Sequence, residues 1–131
     1  MIQYKINPKV EAKEVAALFS ASGINRPSDD LERIEKMIKH ASISIGAYEG
    51  DKLVGYARGL SDFCYACYLS DLAVDQNYQK MGIGKELLEQ MKNELSDEVT
   101  IVLISAPSAV DFYNRIGLEN SDRAFIIPRK K

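Results

Sequence analysis

The sequence predicts an α/β (α+β) fold in which a mixed, largely antiparallel sheet carries helices on both faces. Three consecutive strand patterns between residues 42 and 74 are joined by hairpin-length connections, which is typical of antiparallel pairing. A strand, an amphipathic helix and another strand then follow between residues 65 and 105. Such a β-α-β unit makes its two strands parallel neighbours with a right-handed crossover. The expected order is β-α-α-β-β-β-α-β-α-β, in one domain covering residues 1–131.

The first part of the chain predicts one strand and two helices. Residues 2–7 (IQYKIN) have the alternation of a strand. A helix follows, because apolar residues recur at helical spacing and a glycine ends the pattern: Val15, Leu18, Phe19 and Gly23. Ser28 or Asp29 is expected to cap the second helix. Its apolar stripe comprises Leu31, Ile34 and Ile38.

The rest of the chain predicts the sheet and two more helices. Residues 42–60 read as two strands with Gly50-Asp51 at the turn, and residues 64–74 as a third. A helix ending near Leu95 follows, with the stripe Ile83, Leu87, Leu88, Met91 and Leu95. Residues 99–105 (VTIVLIS) predict a buried strand, residues 107–117 a short helix between Pro107 and Gly117, and residues 123–128 (RAFIIP) a last strand.

Composition excludes several classes of protein. With 46% apolar and 27% charged residues and a net charge of -2, the chain is typical of a globular domain and not of one that coats nucleic acid. No apolar run is long enough to span a bilayer, and the first residues do not resemble a signal peptide, so a cytoplasmic location is expected, without membrane partners. Cys64 and Cys67 are expected on opposite faces of a strand, and the only histidine is His40, so no metal site is predicted.

The stretch YQKMGIGK, residues 78–85, lies between a strand and a helix. It is neither a Walker A loop nor a dinucleotide fingerprint, because Gln79, Glu86 and Leu87 stand where those motifs need glycine, a hydroxyl or a third glycine. The remaining pattern is Q-x-x-G-x-G. Unpaired N–H groups at the helix start would bind an anion, and Gly82 and Gly84 would leave it room. The alternative is a tight turn with a glycine N-cap.

Two segments resemble signatures of the GCN5-related N-acetyltransferase (GNAT) family. The first is a strand ending in Leu-x-Val followed by Q-x-x-G-x-G, here Leu72, Val74, Gln79, Gly82 and Gly84. The second is Phe-Tyr-x-x-x-Gly-Phe on a short helix, here FYNRIGL, residues 112–118, with Leu118 in place of phenylalanine. The order and spacing fit along essentially the whole chain.

The resemblance implies that acetyl-CoA binds along this segment. Amides of residues 79–85 would hold its pyrophosphate, and backbone groups at the end of the preceding strand would pair with the pantetheine. The Val74 amide would face the acetyl carbonyl. Many members bind the pantetheine through an Asn where this chain has Ala106, so this contact is either lost or supplied by a neighbour such as Ser105 or Ser108. The implied cofactor-binding residues are Leu72, Ala73, Val74, Gln79, Lys80, Met81, Gly82, Ile83, Gly84, Lys85, Ser108 and Tyr113.

Three residues are candidates for catalysis. The resemblance implies that Tyr113 protonates the leaving thiolate, and the alternative is an aromatic packed at the core edge. Asp71 interrupts an apolar strand, so it is expected to face a wet cleft, where it would take the amine proton through water. Asp62 is a second candidate for the base. For either carboxylate the alternative is a solvated or turn-bound side chain.

The predicted function is acetyl-CoA-dependent transfer of an acetyl group to a primary amine of a small molecule, directly and in a ternary complex. Residues 57–85 also resemble plant-type arylalkylamine (serotonin) N-acetyltransferases, which favours a small amine. Residues 24–27, Tyr65 and Tyr68 are the expected acceptor lining. The competing class is a non-catalytic acyl-CoA sensor or interaction module. A homodimer is expected through the apolar C-terminal strand.

Overall fold

The computed structural model describes residues 1–131 and contains five strands and four α-helices. The strands are β1 (Ile2–Ile6), β2 (Ile43–Glu49), β3 (Lys52–Ser61), β4 (Ala66–Val74) and β5 (Thr100–Val102). The helices are α1 (Ala12–Ser22), α2 (Leu31–Lys39), α3 (Ile83–Leu95) and α4 (Val110–Arg115). Short 3₁₀ turns at Gln76–Tyr78 and Pro107–Ala109 precede α3 and α4.

The sheet follows chain order, β1-β2-β3-β4-β5. The first four strands are antiparallel to their neighbours, and β5 is parallel to β4, with α3 as the crossover. This topology confirms the predicted fold class, including the β-α-β unit at one side of a largely antiparallel sheet.

Helices cover both faces of the sheet, because the strands alternate apolar side chains between them. The face under α3 contains a cluster that includes Ile45, Val54, Leu87 and Met91. The opposite face packs against α1 and α2 through a second cluster, which includes Phe19, Ile34, Tyr48 and Tyr56. The predicted stripe of α3 is buried along its whole length.

The predicted last strand was wrong. Residues 123–128 have no strand pairing, and the side chains of Phe125 and Ile127 are 92% and 98% exposed. The predicted buried strand over 99–105 is shortened to β5, in which Ile101 is partly buried and Thr100 and Val102 are exposed. Both errors have one cause. Apolar, β-branched residues favour extended backbone, but a strand also needs a partner for its N–H and C=O groups, and β4 pairs with β5 only as far as Tyr68 and Val102.

Two local predictions also change. Asp30, and neither Ser28 nor Asp29, caps α2, accepting a hydrogen bond from the Arg33 N–H at 3.1 Å. Cys64 lies in the β3–β4 turn, because β4 begins only at Ala66. None of the helices has both the length and the apolar run that a membrane span requires.

Candidate active site

A cleft opens where β4 and the chain after β5 separate. The two strands pair from Ala66 with Thr100 to Tyr68 with Val102, and beyond that point β4 has no partner on this side. The cleft has a volume of about 1020 Å³ and is bounded by the second half of β4, the glycine loop, residues 103–109 and α4. It therefore exposes the unpaired edge of a strand beside a helix N-terminus.

The glycine loop presents free backbone donors to this cleft. Gly82 is the N-cap of α3 with φ of 81°, and no side chain caps the helix. The first intrahelical bond is from the Glu86 N–H to the Gly82 carbonyl at 3.0 Å. The N–H groups of the first three helical residues, 83–85, therefore lack an intrahelical acceptor and carry the positive end of the helix dipole. This arrangement suits an anionic group of a ligand.

The two glycines of the loop serve different purposes. A Cβ at Gly82 would meet nothing within 4 Å, so this residue leaves open space, and its positive φ favours glycine. A Cβ at Gly84 would lie 3.1 Å from Cζ of Phe112, so this glycine also lets α4 approach α3. Lys80 has φ of 69°, a conformation that is uncommon for a residue with a side chain.

Gln79 ties the loop back to the end of β4. Its Nε2 donates a hydrogen bond to the Val74 carbonyl at 3.1 Å. The loop is also attached to the β2–β3 turn, since the Tyr78 hydroxyl donates to Glu49 at 2.9 Å and Lys52 Nζ lies 5.4 Å from the Tyr78 ring centre. Lys80 and Lys85, in contrast, form no salt bridge, so their charges are available to a ligand.

Tyr113 lines the cleft from α4. Its ring is held edge-on against Phe112, with 5.1 Å between the ring centres. Burial raises the pKa of Tyr113 above its usual value of 10, and the charge of Arg26 acts in the opposite direction. The hydroxyl is therefore protonated at neutral pH and can donate a proton or a hydrogen bond.

The expectation that Asp71 faces a wet cleft was wrong. Asp71 is 1% exposed, and its two carboxylate oxygens accept hydrogen bonds from two arginines, Arg26 Nε at 2.6 Å and Arg58 Nε at 2.5 Å. A carboxylate that is already bonded at both oxygens is poorly placed to take a substrate proton. The ion pairs satisfy the requirement that a buried charge be compensated.

Asp62 is a turn residue and lies away from the cleft. One of its oxygens accepts hydrogen bonds from the backbone N–H groups of Cys64, Tyr65 and Ala66, at 2.8 to 3.1 Å. These bonds lower the pKa of Asp62 to about 2. The arrangement is the turn-bound alternative for this residue, and it leaves Asp62 a weak base.

The cysteines have no role that the structure supports. Cys64 is exposed and Cys67 buried, and both are free thiols. The neighbouring Asp62 charge raises the pKa of Cys64, and burial raises that of Cys67, so both stay protonated at neutral pH. No group of three or more His, Cys, Asp or Glu side chains is arranged to hold a metal ion.

Most of the predicted cofactor-binding residues lie together along the cleft. Its lining includes Leu72, Ala73, Val74, Gln79, Lys80, Gly82, Ile83, Gly84, Lys85, Ser108 and Tyr113, whereas Met81, Asp62 and Asp71 are not part of it. Ser105 and Ser108, the two candidates for replacing the missing Asn, both line the cleft. The Ser105 hydroxyl already donates to the Ala106 carbonyl at 2.6 Å, so Ser108 has the freer hydroxyl.

Four residues of the cleft lining were not singled out from the sequence. They are Arg26, which was named only within the range 24–27, and Ser70, Arg115 and Arg129. The cleft contains five cationic side chains, Arg26, Lys80, Lys85, Arg115 and Arg129, and no carboxylate. The buried Asp71 was a usable signal, because an acidic residue inside a strand requires a cationic partner.

Residues 13–126 match the family model described as an acetyltransferase (GNAT) domain. A protein from Pyropia yezoensis, named as an uncharacterized N-acetyltransferase, is 29% identical over 118 residues, which cover 85% of this chain and 66% of that protein. A GNAT-family acetyltransferase from Streptococcus pneumoniae is 25% identical, with a TM-score of 0.78 and full coverage of both chains.

An aminoglycoside N-acetyltransferase solved in complex with CoA is 14% identical with a TM-score of 0.71, and this likeness concerns the fold alone. The chain spans somewhat less than two thirds of the length of the first curated relatives it matches, 66%, 58% and 60%. The family model, in contrast, covers most of the present chain. By its sequence signatures, its five-stranded sheet and this match, the chain belongs to the GNAT acetyltransferase family.

Proposed function

We propose that the chain is an acetyl-CoA-dependent N-acetyltransferase that transfers an acetyl group directly to a primary amine of a small molecule, in a ternary complex. The observation that carries this proposal is the cleft, which combines an unpaired strand edge at β4, the free N–H groups at the start of α3, and Tyr113. Together these three parts would meet the three requirements of the reaction.

The first requirement is to hold the acyl donor. The pyrophosphate of acetyl-CoA would bind at the α3 N-terminus, where the N–H groups of residues 83–85 are free, the space at Gly82 is open, and Lys80 and Lys85 are unpaired. The pantetheine arm would lie along the exposed edge of β4 as an additional strand, with Ser108 as its side-chain partner.

The second requirement is to stabilise the oxyanion that forms when the amine attacks the thioester. A backbone N–H at the end of β4, such as that of Val74, is the proposed donor. One donor of this type typically contributes about 10²–10³ in rate. Gln79 donates a hydrogen bond to the Val74 carbonyl, so it ties the glycine loop to the residue that supplies this donor.

The third requirement is to give a proton to the departing thiolate and to remove one from the amine. Tyr113 is proposed to protonate the departing thiolate of CoA, for which its protonated hydroxyl is suited. No carboxylate lines the cleft, and Asp71 and Asp62 are both occupied by other hydrogen bonds, so the amine proton is proposed to leave through water. An acceptor amine with a low pKa would need the least help at this step.

The cysteines support direct transfer rather than an acetyl-enzyme. Cys64 and Cys67 do not line the cleft, and both are protonated thiols. Initial-rate kinetics with both substrates varied should therefore give intersecting double-reciprocal lines. Parallel lines, the pattern of a covalent intermediate, would contradict the ternary complex.

The decisive experiment is a panel of primary amines assayed for release of free CoA, together with titration of acetyl-CoA binding. The competing function is a non-catalytic acyl-CoA sensor, which two observations favour: Ala106 in place of the usual Asn, and the absence of a carboxylate from the cleft. Tight acetyl-CoA binding without turnover on the whole panel would identify the sensor.

A homodimer remains part of the proposal. The exposed Phe125, Ile126 and Ile127 offer an apolar segment for pairing, although they do not form the strand that was predicted. Light scattering at micromolar concentration would detect the dimer, and a monomeric mass would rule it out.

A further inference from the structure

Arg26 lines the cleft, and the protein uses only part of its hydrogen-bonding capacity. It lies in the loop between α1 and α2, its side chain is 25% exposed, and it lines the cleft. Its Nε donates to Asp71 at 2.6 Å, its Nη2 to the Ser70 carbonyl at 2.6 Å and its Nη1 to the Asn25 carbonyl at 2.7 Å. A guanidinium has five N–H groups. Two of them are therefore left for a ligand.

A buried ion-pair network holds this guanidinium in place. Asp71 accepts from Arg26 at one oxygen and from Arg58 at the other, and Arg58 is itself 6% exposed and donates to the Ser70 hydroxyl at 3.0 Å. Two guanidinium groups and one carboxylate leave a net positive charge on the network. Because Arg58 is the buried member, Arg26 is the one that presents this charge to the cleft.

The proposed phosphate site of acetyl-CoA lies too far from Arg26 for the phosphates to be the ligand of this side chain. The proposed phosphate site is the α3 N-terminus, beyond the end of β4, whereas Arg26 contacts Ser70, which lies four residues before Val74 on that strand. Four residues of strand correspond to about 13 Å. Arg26 and Tyr113 instead line the same cleft, and the positive charge of Arg26 opposes the rise that burial causes in the pKa of Tyr113. Arg26 thus lies on the side of the cleft where the acetyl group would meet its acceptor.

We infer that the acceptor carries an anionic oxygen group, a carboxylate or a phosphate, in addition to its amine, and that Arg26 binds this group. This inference rests on the proposed acetyl transfer. The planar guanidinium matches two-point binding of such groups. The lining of the cleft supports this inference, because it has no carboxylate that would attract a purely cationic amine.

The test uses matched pairs of amines that differ in the anionic group: tryptophan with tryptamine, 4-aminobutanoate with butylamine, and O-phosphoethanolamine with ethanolamine. In at least one pair the anionic member should have a kcat/KM about tenfold or more above its partner, the scale of a charge-assisted hydrogen bond. A preference in either of the first two pairs would identify a carboxylate as the ligand of Arg26, and a preference in the third pair would identify a phosphate. Arg26→Gln should bring that ratio close to one.

Two further variants control for charge and folding. Arg33→Gln removes one positive charge from the exposed face of α2, outside the cleft, and should leave the ratio unchanged. Arg26→Lys retains the positive charge but lacks the paired N–H groups of the guanidinium, so it should keep only part of the kcat/KM preference for the anionic amine. If Arg26→Gln does not fold, Arg26→Lys takes its place in the test. The thermal midpoint of each variant is recorded alongside.

The possible failures are distinguishable. Suppose that amines are acetylated, that the uncharged member of each pair is preferred, and that the ratio of kcat/KM values does not change in the Arg26 variants. This result would reject the anion site at Arg26 and would still support acetyl transfer. If no amine is acetylated, calorimetric binding of the same compounds to the CoA-saturated chain decides. Arg26-dependent binding of the anionic members would keep the anion site and reject catalysis, whereas its absence would reject both.

Discussion

Arg58 on β3 and Asp71 on β4 lie directly opposite each other in the antiparallel register, and Arg58 Nε donates to Asp71 Oδ2 at 2.5 Å. Both residues are buried, and Asp71 also binds Arg26 from the α1–α2 loop. The pair therefore connects the centre of the sheet to a loop that borders the cleft. Because both carboxylate oxygens of Asp71 accept hydrogen bonds from arginines, we interpret Asp71 as a structural residue.

Asp71→Asn should be strongly destabilising. The substitution removes the only carboxylate from two guanidinium groups and leaves Arg58 charged and buried. Breaking a buried pair in this way typically costs about 3–5 kcal/mol in the free energy of unfolding. Urea denaturation measures this change. A variant that keeps its stability but loses acetyl transfer would instead return Asp71 to the role of general base.

Asp62→Ala should lower thermal stability at neutral pH and leave turnover intact. The substitution removes the acceptor for three backbone N–H groups of the β3–β4 turn. Because folding lowers the pKa of Asp62 from 3.8 to about 2, its stabilising contribution is complete above pH 3.8 and is lost as the pH falls through 2. The difference in thermal midpoint between the two proteins should therefore shrink across that range. Loss of turnover with unchanged stability would support Asp62 as the base.

Gly82→Asn should weaken acetyl-CoA binding while preserving the fold. Asparagine tolerates the positive φ of 81° but adds a side chain where the structure has open space. We expect affinity to fall by about tenfold or more, which is about 1.4 kcal/mol. Gly50→Asn is the matched control, since Gly50 also has a positive φ of 59° and open surroundings but lies in the β2–β3 turn. Equal affinity of both variants in calorimetry would reject the phosphate site.

Gly84→Val should act through packing against α4. The added Cβ would lie 3.1 Å from Phe112 Cζ, and overpacking of this kind typically costs about 1–3 kcal/mol. Phe112→Leu should relieve the contact, so the double variant should lose less stability than the two single variants together. Strict additivity in the urea denaturation of the four proteins would show that Gly84 and Phe112 are not coupled.

Tyr113→Phe should lower kcat and kcat/KM together, by about 10²-fold or less, with little change in acetyl-CoA binding. The ring remains, so packing against Phe112 is kept and only the hydroxyl is lost. The loss should be smaller with an acetyl donor whose thiol is more acidic. A wild-type rate in the variant, measured when chemistry is rate-limiting, would assign the proton to water instead.

The pH profile provides an independent check on Tyr113. Burial raises its pKa above 10, so the acid form persists below that pH. The rate of acetyl transfer should therefore rise with pH as the acceptor amine loses its proton, without an alkaline decline due to Tyr113 below pH 10. A decline in the range of pH 8–9 that is absent from Tyr113→Phe would mean that the pKa of Tyr113 is lower than its burial indicates.

The sequence by itself determined the fold class and the glycine loop. Alternating and helical apolar patterns depend on neighbours along the chain, so the buried stripe of α3 and the hairpin at Gly50-Asp51 could be read directly. The same is true of the motif that places Gln79, Gly82 and Gly84 between a strand and a helix. These features are local, and short-range spacing specifies them.

Only the tertiary structure decided the roles of the charged residues and the fate of the C-terminal segment. Asp71 becomes a structural anion because strand register and a distant loop bring Arg58 and Arg26 to its two oxygens, across 13 and 45 positions of sequence. Residues 123–128 have strand composition, but the extent of a strand depends on a partner backbone, and β4 and β5 separate after three paired residues. Strand propensity depends only on the residues of a segment. Strand pairing and the compensation of a buried charge depend on which distant residues the fold places beside it.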